Sequence, residues 1–181
     1  YAWWGATVLK KNPSIDVHSH HVPGDFWKAC AAGNSWFGAS IKEKGGKRFI
    51  DTKDRLAGPI EPNWHLTIDQ RVLLMDSIGV DKQLISTPPY FFNYHLDKDM
   101  GICSARIINE ELIEMTSIKP DRFDSLATIP LQDIGAAVSE LEWAFSQGMK
   151  GAEICTHVNG VNYDDRSLWP LFEVAESLGA F

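Results

Sequence analysis

Positive charge is scarce in this chain. Lys and Arg number 17 against 24 Asp and Glu, leaving a net charge of −7 and a pI near 5.3. That balance lacks the basic footprint that a phosphate backbone requires, so nucleic acid is excluded as a partner. Long apolar runs are also missing. The longest, Tyr1 to Leu9, stops at Lys10-Lys11 and falls short of the roughly 20 residues that span a bilayer, so no membrane partner is expected. Cysteine is sparse: Cys30, Cys103 and Cys155 stand far apart with no CxxC pair. This argues against a disulfide framework or a zinc–thiolate site and points to a reducing compartment, the cytoplasm. The absence of GxSxG, Walker-type and kinase signatures removes serine hydrolysis and phosphoryl transfer.

What is present is an ordinary globular composition, 44% hydrophobic and 23% charged over 181 residues. Ser14 to His20 alternates polar with β-branched residues and breaks at Pro23-Gly24, which predicts a strand and a turn. From Gly24 to Trp64 the pattern dissolves into a glycine-rich stretch holding three of the seven tryptophans. Its aromatic content predicts a structured insertion with a small hairpin. Thr67 to Gln70 forms a capping box for a helix that Gly79 stops. Val80–Ser86 is the next strand, and Ile102, Ala105, Ile108, Leu112 and Met115 mark a helix ending before Pro120. Phe123–Ile129 and Lys150–Cys155 are expected strands, each followed by a helix, the first capped by Asp133 and the second stopped at Gly179. Four strand–helix units in alternation specify a parallel sheet covered by helices. An open doubly wound sheet and part of a (β/α)₈ barrel both fit. The glycine fingerprint of a dinucleotide site is absent after the first strand, where a histidine pair stands instead.

His18 and His20 lie two apart on that strand, so both imidazoles project to one face at its carboxyl end. Neutral imidazoles suit zinc, and parallel α/β proteins build their sites at this end. The alternative is two polar residues at a strand terminus. His21 is out of phase and is read as structural or surface; Asp16 is in phase but deeper, suited to a buried hydrogen bond. Glu153, Cys155 and His157 share one parity on the fourth expected strand. His157, nearest its mouth, is either a general acid, a support or substrate group, or a plain loop histidine before Asn159-Gly160. His65 and His95 carry no spacing signal. Arg48, beside Lys47, could clamp a carboxylate or belong to a solvated face.

These stretches together resemble the amidohydrolase superfamily, within its metal-dependent decarboxylase branch of the aminocarboxymuconate-semialdehyde decarboxylase type. The likeness rests on Ile15-Asp16-Val17-His18-Ser19-His20 with Pro23, on Arg71 to Asp81, and on Asn109 with Pro120 to Phe123. It continues through Ala127 to Asp133, Lys150 to Ile154, Asn159-Gly160 and Asp164-Asp165. The resemblance implies a (β/α)₈ TIM barrel, one divalent metal (zinc, with manganese possible), a small-molecule carboxylate substrate and a homodimer. It makes His18 and His20 metal ligands and His157 a catalytic candidate. Arg48 becomes a substrate candidate, with Arg55 its rival, and Asn159 another. Further ligands, a histidine and an aspartate, and an acid/base histidine are expected beyond Phe181.

A complete barrel needs about 250 residues. The chain opens on Tyr1 rather than Met, so it is expected to be the front half of a larger protein. Residues 1–13 form an N-terminal extension, and 14–181 the first four units, with the insertion at about 24–64. Non-oxidative decarboxylation of an unsaturated or aromatic acid is the expected reaction. Hydrolysis of a lactone, amide or ester is the rival, and a non-catalytic half-barrel that binds a partner is the reading of another class.

Overall fold

The structure, a computed structural model, describes residues 12–181 apart from Asp54; the expected extension lies outside the described residues except at Asn12 and Pro13. Strand β1 (Ile15–His20) enters a parallel sheet. The insertion that follows is structured, as its aromatic content predicts, but holds more than a hairpin. It opens with helix α1 (Gly24–Ala31), which the sequence pattern did not predict, and continues as an antiparallel meander of β2 (Ser40–Lys44), β3 (Lys47–Thr52) and β4 (Arg55–Ala57). Gly45 and Gly46 turn β2 into β3 with φ of 60° and 71°, the two positive values that a tight hairpin turn needs and that glycine supplies at little cost.

Helix α2 (Ile68–Ile78) starts at the predicted capping box: Gln70 N–H donates to Thr67 Oγ1, and the Gln70 side chain accepts from Thr67 N–H. It ends at Gly79 in the left-handed region. Strand β5 (Lys82–Ser86), helix α3 (Lys98–Ile118), strand β6 (Phe123–Ser125) and helix α4 (Ile134–Ser146, capped by Asp133 Oδ1) follow, then helix α5 (Trp169–Leu178). The parallel sheet runs β1-β5-β6.

The fourth expected strand, Lys150–Cys155, is a single parallel bridge between Ala127 and Ala152 rather than a regular strand. Its backbone still pairs with the β6 segment: Lys150 N–H donates to Ser125 C=O and Glu153 N–H to Ala127 C=O. Gly151, at φ 146°, leaves the extended region and interrupts regular strand geometry. On its other side, Phe181 N–H donates to Lys150 C=O and Ala152 N–H to Phe181 C=O. Backbone pairing therefore continues in chain order across β1, β5, β6, Lys150–Glu153 and Phe181.

The core lies between this sheet and helices α3 to α5, with Ile85, Ile108, Leu112, Phe123, Ile129 and Leu141 all at most 2% exposed. Asn109, fully buried, ties α3 to the segment that follows β6 by donating Nδ2–H to Thr128 C=O and accepting Thr128 N–H on Oδ1. The insertion docks through aromatic edges: the Phe26 and Trp36 rings lie 5.1 and 5.6 Å from that of Phe91. Its first helix is pinned where Gly24 N–H donates to both Glu111 carboxylate oxygens, one of which, Oε1, also meets His21 Nε2 at 2.7 Å. A carboxylate there satisfies orphan donors at a helix N-terminus.

Candidate metal and substrate site

Strand β1 does not run evenly along β5. Asp16 faces Gln83 and Ser19 faces Ile85, so β1 advances three residues where β5 advances two. Such a bulge re-aims the side chains around it. Here it leaves His18 and His20 with their Nε2 atoms 3.2 Å apart, rings edge-on at 4.9 Å between centroids. The other ring nitrogen of His20, Nδ1, lies 3.1 Å from Ser86 Oγ and 3.8 Å from Glu153 Oε2. The tautomer that donates Nδ1–H to Ser86 leaves a lone pair on Nε2, the arrangement of a supported metal-ligating histidine.

Two nitrogens bound at zinc distances and at the tetrahedral angle stand about 3.3–3.4 Å apart, so the pair has the spacing of two ligands to one ion. Burial pushes the His20 imidazole below its ordinary range, against the pull of Glu153. That favours the neutral form a metal requires. Among the described residues no group of three or more His, Cys, Asp or Glu side chains is arranged around an ion. The donors fit part of a metal site, two ligands of a larger set.

The strand end is braced by polar side chains, of which Ser19, Arg71 and Gln83 line the same cavity as the histidines. Gln83 Nε2 donates to Asp16 Oδ2 at 3.0 Å, and Asp16 Oδ1 accepts the His18 N–H at 3.1 Å, which gives Asp16 the hydrogen-bonding place its phase suggested. Arg71, on α2, reaches Ser19 Oγ, Gln83 Oε1 and the His20 carbonyl. Sequence reasoning passed over Arg71 and Ser86. The signal for Arg71 was available: it interrupts the apolar stripe of Ile68, Val72 and Met75 with a cation on the buried face.

The histidine pair opens on a cavity of about 470 Å³ that Arg55, Trp64 and Tyr90 also line. A second, of about 650 Å³, takes in Asn93, Tyr94, His95, Cys155, His157 and Asn159, and shares Arg55, Pro89 and Tyr90 with the first. The aromatic run after β5 thus walls both. Burial raises the Tyr90 hydroxyl to about 12 and raises that of Tyr94 as well, so both stay protonated and available as donors. Burial also raises the Cys155 thiol, which keeps it a poor nucleophile.

His157 is exposed, and its Nδ1 accepts Gly160 N–H at 3.2 Å; Asn159, at φ 48°, donates Nδ2–H to Tyr94 C=O at 2.8 Å. The structure brings His157 and Asn159 to the second cavity and Arg55 to both. It does not bring Arg48 there. Arg48 is exposed on β3 across from Glu43 and borders a separate hollow with Trp27, Ile60 and His65. His65 stacks on Trp27 at 4.8 Å.

Comparison with known proteins adds four findings. A family model described as Amidohydrolase matches residues 15–181. The chain is 31% identical over 183 residues to the 2-amino-3-carboxymuconate-6-semialdehyde decarboxylase of Dictyostelium discoideum, covering 92% of this chain and 46% of that enzyme. Among solved structures, Metarhizium anisopliae IDCase in apo form matches with a TM-score of 0.78 at 16% identity, over 94% of this chain and 49% of that one. A Polaromonas sp. dihydroxybenzoic acid decarboxylase, solved with bound manganese and the inhibitor 2-nitroresorcinol, matches with a TM-score of 0.60 at 23% identity, over 94% and 48%. At these identities the structural likeness bears on the fold alone. The chain spans about half the length of the curated relatives it matches, 46% and 48% for those of D. discoideum and Caenorhabditis elegans.

Proposed function

The chain belongs to the amidohydrolase family, and from that premise we propose that it carries the front half of a (β/α)₈ barrel and, on it, two ligands of the single divalent metal of a carboxy-lyase. The reaction is the non-oxidative decarboxylation of a carboxylated unsaturated or aromatic acid. The observation that carries this reading is the 3.2 Å approach of His18 Nε2 and His20 Nε2 at the carboxyl end of β1, beside a cavity. Zinc suits the imidazole donors, with manganese, the ion of the Polaromonas structure, as the alternative. When bound, such an ion supplies Lewis-acid stabilisation to negative charge on substrate oxygens.

The chain's own residues do the rest of the work assigned here. Arg55 binds and orients a substrate carboxylate with its guanidinium fork. Tyr90, protonated throughout the physiological range, donates a hydrogen bond from the cavity wall. Carbon dioxide leaves only after the carbon that bears it is protonated, so an acid is needed. His157 accepts Gly160 N–H at Nδ1, and its neutral form therefore carries the proton at Nε2. Asn159 fixes the loop beside it through the Tyr94 carbonyl. A cytoplasmic homodimer completes the proposal, the first supported by three unpaired cysteines and the second by the family resemblance.

The test is metal analysis of the intact protein, followed by assay of carbon dioxide release from 2-amino-3-carboxymuconate semialdehyde and from dihydroxybenzoates, alongside lactone opening. One metal per chain with carbon dioxide release supports the proposal. A metal-free protein, or lactone hydrolysis without carbon dioxide, overturns it.

A further inference from the structure

We propose that Arg71 is a positioning residue for the metal pair, holding His20 through its backbone at the wall of the cavity that it lines together with both histidines; this rests on the metal reading above. Arg71 is only 6% exposed, yet each group it donates to is neutral: Ser19 Oγ at 3.1 Å, Gln83 Oε1 at 3.4 Å and the His20 carbonyl at 2.9 Å. A buried cation whose acceptors are all neutral, with only the nearby Asp16 carboxylate favouring its charge, is a costly way to fill space. An aliphatic side chain would pack the same stripe of α2 without that cost. What an aliphatic group cannot do is hold three acceptors on two strands at once, which a planar fork of donors does.

The need for such a brace follows from the bulge. Between Asp16 and Ser19 the ladder to β5 loses its regular step, so backbone pairing alone fixes this end of the strand less firmly. Arg71 spans the weakened stretch. Nη1 grips Ser19 and Gln83, one on each strand, while Nη2 satisfies the His20 carbonyl. Ser86 holds the ring of the same histidine. His20 is thus held at both backbone and ring, and its spacing to His18 follows from the two grips together. Supporting contacts of this kind are worth roughly 10–100-fold in metal affinity.

The experiment titrates Mn²⁺ into the intact protein and its variants, following free Mn²⁺ by electron paramagnetic resonance, and records the visible spectrum of the Co²⁺-substituted forms. Arg71→Met is expected to weaken Mn²⁺ binding at least tenfold and to change the Co²⁺ bands. Arg71→Lys, which keeps the charge but cannot reach both strands, is expected to recover only part of the affinity. Ser19→Ala removes one grip with little change in volume and is expected to lose affinity several-fold. Variants that fold and bind both ions like the parent overturn the proposal. If neither Arg71 variant folds, Ser19→Ala decides it alone, and parental affinity with a parental Co²⁺ spectrum counts as refutation. A parent that takes up neither ion sinks the metal reading itself, a result distinct from equal uptake by parent and variants.

Discussion

His18 and His20 meet at 3.2 Å between Nε2 atoms on a strand whose bulge, between Asp16 and Ser19, takes in His18 itself. A regular strand would also place both on one face. The bulge and the Ser86 contact turn shared direction into convergence, because the His20 ring is held at Nδ1 while Nε2 faces its partner.

On the proposed metal reading, in which each histidine supplies a full ligand, replacing either is expected to cost at least a hundredfold in metal affinity. His18→Ala and His20→Ala should leave the fold intact, for His18 is exposed and His20 half-buried. Metal content after dialysis and far-ultraviolet circular dichroism check both statements. Parental metal retention by both variants would remove the pair from the site.

Burial holds the His20 imidazole below its ordinary value of 6.5. The unfolded chain then takes up this proton more readily than the folded one. The stability contribution is fully present above pH 6.5, the unfolded value, and is lost as pH falls through the interval below it. Metal-free protein is expected to weaken on acidification across that interval, and His20→Asn to show a shallower decline. Urea midpoints at stepped pH measure it, and identical slopes would speak against the assignment.

Arg55 borders both cavities whereas Arg48 borders neither. With a decarboxylation assay in hand, Arg55→Ala is expected to raise KM about tenfold or more, as loss of a carboxylate clamp does. Arg48→Ala should stay within about twofold, in keeping with an exposed charge. The reverse pattern would move the substrate to the other side of the meander.

Asn109 has no exposed surface and joins α3 to both polar groups of the Thr128 backbone and to Glu140. Asn109→Ala strands those partners in the interior and is expected to cost about 2–4 kcal/mol. Urea denaturation reads this directly, and a change below about 0.5 kcal/mol would deny the network its part in stability.

Gly151 sits at φ 146°, and a Cβ there would overlap the backbone of Phe181. Gly151→Ala is expected to destabilise by about 2 kcal/mol or more through strain and displaced backbone pairing. Hydrogen exchange at Ala152 and Phe181 should rise in the variant. Unchanged protection would show that the chain passes this point by another route.

The sequence pattern was most readable where one physical rule acted alone. Alternation exposed β1, and the Thr67–Gln70 box and Gly79 bounded α2 to within a residue or two. Helix α1 was hidden because Pro23 gives it no side-chain cap and its eight residues are too few for a clear period. The fourth strand was overdrawn because apolar spacing around Gly151 says nothing of its φ. The choice between Arg48 and Arg55 depended on where a three-stranded meander lies against the aromatic run, a tertiary fact with no local signature. His18 and His20 were readable as a pair, but their bracing by Ser86 and Arg71 crosses 52 to 66 positions of chain.

The meander that brings Arg55 to the cavity shares no ladder with the sheet that bears the histidines; the segment ahead of it packs Phe26 and Trp36 against Phe91, just past β5. On the proposed reading, recognition and chemistry would ride on separate parts of the fold. A lineage can lengthen the Gly45-Gly46 hairpin, move its cation or exchange the whole meander to accept a different acid, while the histidine strand keeps its geometry.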